Sequence, residues 1–496
     1  VQSFLGLFTR SYAGIASVSV NTRMTSIYLN PNVFAGVSGM GVMLSLGLAN
    51  TAKRTGERRF QLCCLFLNAL SFVLVFSMGG STMISLGFLA FLLLEAKQRR
   101  GPLLVLMVET FVLVLAATFP IFLTSFGEWN GFQPVPLLCA AGGALLLCLA
   151  DRFIGSKLAD VLAGRGKLVL GLLLGVLAAV GVYVAVALNV TGGVTLKADQ
   201  SFIRAAYLAP GEYTLEVEAN QTSRLRVYCE TLEDAMRGTR HNLYDGDSEN
   251  VAFTVPEDSQ VVFFQFLPDT EVRVESANYR GAAGQGSLKL KYLLLPGFVA
   301  NRIQGVFANH NAIQRTVYFR DGMKLFQRGP VFGLGMGAFE NAVCSVQNYF
   351  YETKYAHNHY IQMLVETGAV GLVLFLAVLG LSGAAVLKSR RREDASPLTA
   401  ALGGALVFMA GHAVVEMTFS ENFFLLTALG VFALISLCCG GTLPLLPERE
   451  HVRKWLGLGI GGLLAVYAVL LGLNMRANQL FSSISSSPDP FGTLKS

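Results

Sequence analysis

The sequence predicts an all-α polytopic membrane protein of about ten transmembrane helices, with a β-sandwich-like domain inserted on the extracytoplasmic side. Three observations carry this expectation. First, 53% of the 496 residues are hydrophobic and only 14% are charged, with a mean hydropathy of +0.53. Soluble domains carry about 25% charged residues, so one soluble core could not hide this surface. Second, the apolar residues are gathered in runs close to the ~20 residues that a helical span needs. Third, basic residues fall in alternate connections between those runs.

The runs lie near residues 33–49, 60–78, 81–95, 102–124, 134–150, 168–190, 360–387, 399–419, 422–440 and 455–473. The run 81–95 is short, and 79–95 could instead be a tight re-entrant turn. Lys53, Arg54, Arg58 and Arg59 follow the first run, and Gly79-Gly80 separates the next two without a charge. Lys97, Arg99 and Arg100 come next, then Glu128 alone, then Arg152, Lys157, Arg165 and Lys167. After the long polar segment come Lys388, Arg390, Arg391 and Arg392, and Arg449, Arg453 and Lys454 precede the last run. Basic loops favour the cytoplasm. The expected protein therefore lies multi-pass in the cytoplasmic (inner) membrane. Residues 20–32, the 191–358 segment and the C-terminal tail face outside. The +6 net charge is accounted for by these loops, and no aromatic-interleaved basic patch points to nucleic acid.

The implied organisation is an N-terminal transmembrane region (1–194), a β module (195–296), an extracytoplasmic catalytic loop with short helices (297–358), a C-terminal transmembrane region (359–475) and an extracytoplasmic tail (476–496). Alternating or β-branched stretches start at Tyr213, Leu225, Val251, Val261, Glu271 and Leu288. Pro210-Gly211, Asp245-Gly246-Asp247, Pro256-Glu257-Asp258 and the glycines from 281 to 286 separate them, a spacing typical of small antiparallel sandwiches. Residues 312–327 have helical periodicity, with Ile313, Val317, Phe319, Met323 and Phe326 on the apolar face, and Gly329-Pro330 ends it. Residues 1–20 predict no signal peptide and at most one short span, and earlier spans are expected to lie outside this sequence. Six of the eight cysteines sit in apolar runs as small hydrophobes. Cys229 and Cys344 could pair in an oxidising compartment or stay two unpaired thiols.

His357 stands where the polar segment meets a long apolar run, beside Asn358. In a helix starting there, His357, Ile361 and Leu364 would share a face, with Gly368 and Gly371 allowing close helix approach. An interfacial histidine could accept a proton near neutral pH, or merely hydrogen-bond among headgroups. Arg23, Arg302 and Arg315 lie on the outer side, against the topological bias. A lipid diphosphate would match their guanidinium forks, and snorkelling to headgroups is the plainer alternative. The Gly333, Gly335 and Gly337 run reads as a tight turn, since no strand–helix unit surrounds it. Glu366, His412 and Glu416 lie in or beside spans and read as packing or support more than as catalytic groups.

Several stretches together resemble the O-antigen ligase and polymerase superfamily. They are Arg315 to Phe319, Gly322 to Phe326, Gly329 to Phe339, Ala356-His357-Asn358-His359-Tyr360-Ile361-Gln362 and Glu366 to Gly371, with Arg23 through Asn30-Pro31-Asn32-Val33-Phe34-Ala35 as an earlier motif. The resemblance implies a metal-independent membrane glycosyltransferase without a cofactor. Its donor would be an undecaprenyl-diphosphate-linked glycan and its acceptor a hydroxyl on a glycan, lipid or protein. His357 is then the general base. Arg315 and Arg23 act with it on the diphosphate, and Arg302, Asn358, Arg320 and His359 bind substrate. The sequence departs from the family at Ser77-Met78-Gly79-Gly80-Ser81, where an arginine is often found, and at Phe319 in place of a usual tryptophan. The family's early spans and common core also differ, since the β module is not part of that core. A repeat-unit polymerase uses the same chemistry with another acceptor. A polar-lipid or glycan transporter would call for charges near the membrane midplane, where the runs have almost none. A glycan receptor would need far fewer spans.

Overall fold

Pro31 is suited to a first helical turn because its missing N–H has no partner there in any case. Asn30 caps that turn, its side chain accepting from the Asn32 and Val33 amides. The computed structural model describes residues 19–20, 23–24, 30–125, 134–162, 165–281, 284–295, 310–440, 454–455, 458–459 and 462. Val1–Cys439 is one compact unit and Gly440–Ser496 another. The description that follows concerns the first.

Two short strands, β1 (Ser19–Val20) and β2 (Arg23–Met24), pair antiparallel ahead of helix α1 (Pro31–Thr51). Then come α2 (Thr55–Leu74), α3 (Met78–Leu94), α4 (Lys97–Ser125), α5 (Val135–Ala150), a π-helical turn at Asp151–Gly155, α6 (Ser156–Leu162) and α7 (Gly166–Ala187). After the polar segment the helical part resumes with α11 (His359–Ser389), α12 (Thr399–Val415) and α13 (Asn422–Cys439). Phe66, Phe91, Phe408 and Phe424 are fully buried where these helices meet. Close approach of α3 and α12 requires glycine: a Cβ on Gly87 would stand 2.9 Å from the Gly404 carbonyl, and one on Gly404 2.8 Å from that of Gly87. Outward faces are instead apolar and exposed, as at Phe111, Leu115, Leu138, Leu145, Leu374, Leu381, Leu426 and Leu437. Water would not tolerate so extensive an apolar surface. The chain is a multi-pass membrane protein.

The expected all-α body with about ten spans is corrected in two ways. Among the described residues five helices are long and apolar enough to cross a membrane: Pro31–Thr51, Lys97–Ile121, Val135–Gly155, His359–Ser389 and Asn422–Cys439. Met78–Leu94 and Thr399–Val415 are shorter apolar helices, and Ala178–Ala187 is an apolar stretch within α7. Glu95 closes Met78–Leu94 and Glu416 closes Thr399–Val415, each a non-helical cap residue. The predicted run 60–78 becomes a helix that opens on Glu57, Arg58 and Arg59, and these dilute its apolar character. Most of the predicted run 455–473 lies outside the described residues. Secondly, strand is a substantial part of the fold and is organised in antiparallel sheets.

That strand content begins with β3 (Thr191–Gly192), β4 (Val194–Leu196), β5 (Phe202–Ala206), β6 (Gly211–Ala219) and β7 (Arg224–Thr231). A short helix α8 (Leu232–Arg237) precedes β8 (His241–Asp247), β9 (Val251–Val255), β10 (Ser259–Leu267), β11 (Val272–Gly281), β12 (Gly284–Ser287) and β13 (Lys291–Tyr292). One sheet has the order β5-β10-β7-β8, and the other β12-β11-β6-β9 with β4 also on β11. Alternation explains the core: Tyr213 and Leu215 of β6 and Val251, Phe253 and Val255 of β9 are buried, while their neighbours face out. The predicted turn Asp245-Gly246-Asp247 is instead the end of β8, where Asp245 pairs with Arg224 and Arg226 of β7. The predicted glycine turn after 281 holds β12 as well. Cys229 is buried, Cys344 exposed, and both are free thiols.

Helix α9 (His310–Arg328) and the short α10 (Ala338–Ala342) follow the β domain. The predicted apolar face of α9 is turned: Ile313, Val317, Tyr318 and Leu325 are buried, Met323 is exposed, and the acid Asp321 is buried with them. Met236 of α8, Val317, Tyr318, Phe339, Tyr351 and Val365 form a second small core that joins the β domain, α9 and α11.

Candidate active site

Four separate chain segments meet at the carboxylate of Glu416. This residue ends α12, and its side chain is almost wholly buried. A lone carboxylate in such a place would be costly. Here its oxygens are surrounded by donors. Oε2 accepts from Asn32 Nδ2 at 2.5 Å and from an Arg315 terminal nitrogen at 2.9 Å. Oε1 lies 2.7 Å from His357 Nδ1 and 3.3 Å from the Met417 amide. A second guanidinium nitrogen of Arg315 donates to the Val415 carbonyl at 3.0 Å. Asn32 is held in turn, since its Oδ1 accepts from Ser77 Oγ at 3.1 Å. Ser77 is also the cap of α3, accepting from the Gly80 amide.

Burial pushes the Glu416 carboxyl upward. The hydrogen bond from His357 and the charge of Arg315 outweigh that push and leave it below the ordinary carboxylate range. Glu416 is then an acceptor at neutral pH, so His357 Nδ1 must be the donor in their hydrogen bond. That fixes the tautomer and leaves the Nε2 lone pair for another partner. The His357 side chain retains 30% of its exposure, as does Arg315, against 2% for Glu416. Imidazole and guanidinium thus reach the surface, while the carboxylate between them does not.

His357 is held by its surroundings as well. It has φ +54°, a left-handed conformation seldom adopted by residues other than glycine. Its ring stacks on Tyr318 at 5.8 Å, and Tyr318 packs on Tyr351 at 5.0 Å. Tyr351 donates to Asp321 Oδ2 at 2.8 Å, and Lys324 bonds Asp321 Oδ1 at 2.9 Å. Burial and the Asp321 hydrogen bond hold the Tyr351 phenol above its ordinary range, so it stays a donor. Lys324 also donates to Val346 O and Asn348 Oδ1, fastening the segment that leads to His357.

The next turn shows why the spacing from Asn358 to Gly368 matters. Asn358 caps α11, its side chain accepting from the Tyr360 and Ile361 amides. Gly368, with φ +67° and ψ −167°, interrupts α11. The helix turns back there: the His359 ring lies 5.4 Å from that of Phe375, although an unbroken helix would hold them about 24 Å apart. Only glycine fits the bend, because a Cβ would come within 2.3 Å of the Val331 carbonyl oxygen. The predicted close approach at Gly368 is therefore one of loop to bend rather than helix to helix. The loop 329–337 bonds to the freed backbone through Ala369 N to Pro330 O, Val370 N to Val331 O, Leu334 N to Val365 O and Gly335 N to Glu366 O. Glu366 Oε1 accepts from the Gly337 amide and from Gln362 Nε2, and Gln362 Oε1 from the Ala356 amide. Loop, bend and the residue before His357 are one hydrogen-bonded unit.

Of the residues singled out from sequence, the structure brings His357 and Arg315 together. Asn358 spends its side chain on the helix cap. His359 is buried between Phe375 and Phe419, and its Nδ1 has no hydrogen-bond partner among the described residues. Arg320 is partly exposed and 3.9 Å from Asp321, away from the Glu416 cluster. Arg302 lies outside the described residues, and of Arg23 the backbone alone is described, paired with Val20 in β2. Sequence reading gave Asn32 and Ser77 no role and Glu416 a supporting one. A signal for Glu416 was present, because an acid beside an apolar run needs donors.

Residues 261–376 match the family described as O-Antigen ligase. The matched stretch contains α9, the loop 329–337, His357 and the bend at Gly368. No curated protein and no solved structure matches the chain. The family match supports the resemblance to the O-antigen ligase and polymerase superfamily, and with it a ligase- or polymerase-type membrane enzyme of polysaccharide biosynthesis.

Proposed function

From the O-antigen ligase signature in residues 261–376, we propose that this protein moves an undecaprenyl-diphosphate-linked glycan onto an acceptor hydroxyl at the extracytoplasmic face of the inner membrane. The observation that carries this reading is the buried Glu416 carboxylate holding His357 at 2.7 Å and Arg315 at 2.9 Å while both reach solvent. The Nε2 of His357 takes the acceptor's proton as the hydroxyl oxygen bonds to the anomeric carbon. The bond from that carbon to the diphosphate oxygen breaks, and its electron pair leaves with the lipid diphosphate. Arg315 offsets the charge that develops on the leaving group, and Arg23 and Arg302 are proposed as further diphosphate ligands.

The orientation rests on charge. Arg58, Arg99, Arg100 and Arg390 gather at the opposite ends of the helices from the Glu416 cluster. There Arg58 forms a two-pronged pair with Asp151, and Arg390 bonds the Leu94 carbonyl. Basic ends favour the cytoplasm.

Replacing His357 with alanine is expected to abolish transfer from a lipid diphosphate donor in purified, reconstituted protein, with insertion retained. Normal transfer by that variant would overturn the assignment. A polymerase uses the same atoms with a repeat unit as acceptor. The chain-length distribution of surface glycan separates the two: loss of a ligase leaves full-length chains on the carrier, and loss of a polymerase leaves single repeats.

A further inference from the structure

The loop that braces the bend of α11 turns its apolar side chains outward. Phe332 is 76% exposed, Met336 82% and Val331 53%. The backbone at Pro330, Val331, Leu334 and Gly335, by contrast, is bonded inward to α11 at Ala369, Val370, Val365 and Glu366, and Gly333 N closes on Gly329 O. This is the reverse of an ordinary water-facing turn, which exposes polar groups and keeps apolar ones in. Such inward bonding suits irregular backbone beside lipid, where no water is at hand to satisfy a freed peptide group.

The position fits the same partner. From Ala369 to Leu387 α11 is apolar apart from small residues, and Val370, Val373, Leu374, Val378, Leu381 and Leu387 are exposed along it. That stretch is roughly 28 Å long, about one hydrocarbon thickness. Val331 bonds to the amide of Val370, so the loop stands at the upper end of this stripe and continues it. We propose that Phe332 and Met336 rest in the outer bilayer leaflet, at the boundary between headgroups and acyl chains, and make the loop 329–337 a membrane-anchored brace for the His357 segment. The partner is a lipid surface of ordinary acyl chains. The idea does not depend on which reaction the site performs.

The test uses the full chain in phosphatidylcholine vesicles, with its two tryptophans, Trp129 and Trp455, replaced by phenylalanine. Phe332→Trp and Met336→Trp are introduced separately, so that failure of one to fold leaves the other. Leu374→Trp serves as the lipid reference and Asp258→Trp, in the β domain, as the water reference. Lipids brominated near the top of the acyl chain are expected to quench the loop tryptophans by roughly half or more, as they quench the lipid reference. Aqueous iodide should leave them little changed. Iodide quenching equal to that of the water reference, without bromine quenching, would overturn the proposal. So would protection from both quenchers, the sign of a protein partner or a second copy over the tip. The readout is independent of glycan transfer, so its failure and the failure of the proposed reaction are distinguishable.

Discussion

Glu416 decides what His357 and Arg315 can do, since one buried carboxylate serves both. Replacing it with glutamine keeps the shape but removes the charge that dictates which imidazole nitrogen carries the proton. Glu416→Gln is expected to lower kcat by on the order of 100-fold or more with a smaller change in KM, measured by donor turnover. Glu416→Asp should restore part of it, and an equal loss in all variants would point to a purely structural role. The pH sign follows from the lowered carboxyl. The stabilisation from its partners is complete above the unfolded carboxylate value of ~4.3. It is lost as pH falls through the lower native value. Glu416→Gln should therefore show a flatter loss of stability on acidification than the parent. His357 and Arg315 were legible in the sequence because unusual residues at a polar boundary stand out. Asn32, Asp321 and the central place of Glu416 were not, because a hydrogen-bond partner 384 positions away leaves no local pattern.

Helix α11 shows how an element can be legible in extent and illegible in path. Its apolar content marks a helix from the start, yet the bend comes from one left-handed glycine and the loop seated against it. Apolar periodicity does not record backbone direction. The same limit explains α9, where Asp321 is buried because Tyr351 and Lys324 satisfy it, so the inner face of the helix includes a charged residue that apolar periodicity does not mark. Gly368→Ala meets both a left-handed φ and the Val331 carbonyl. It is expected to cost roughly 2–4 kcal/mol, read as a lowered Tm in detergent or lipid, and to lower transfer by displacing His357. Gly380→Ala has open space around its Cβ and should leave both unchanged.

On the scale of the whole molecule, the β domain meets α9 through the short helix α8 and strand β10. Ala235 of α8 is fully buried with Val261 and Ile313, and its carbonyl accepts from Gln314 Nε2 at 3.0 Å. Arg315 is the next residue along α9. Ala235→Leu should overpack this contact, costing about 1–3 kcal/mol, and lower turnover by shifting α9. Adding Ile313→Val, which frees volume, should recover part of both losses; additive losses in a double-mutant cycle of Tm and turnover would contradict the coupling. The membrane class and the presence of a sheet insert were legible from composition and alternation. Among the described residues the number of crossing helices was not, because acidic caps end α3 and α12 early and the first turn of α2 is charged.

The clasp of Asn32 and Glu416 also bears on the birth of the protein. A membrane chain is threaded N-terminus first and its early parts fold as they emerge. Asn32 precedes the β domain along the chain, whereas Glu416 follows both that domain and α12. A chain made only as far as α11 already carries Asn32, Arg315 and His357, yet lacks the carboxylate that all three contact. The cluster therefore closes only once the chain has been made through α12, and until then Asn32, Arg315 and His357 lack their common acceptor.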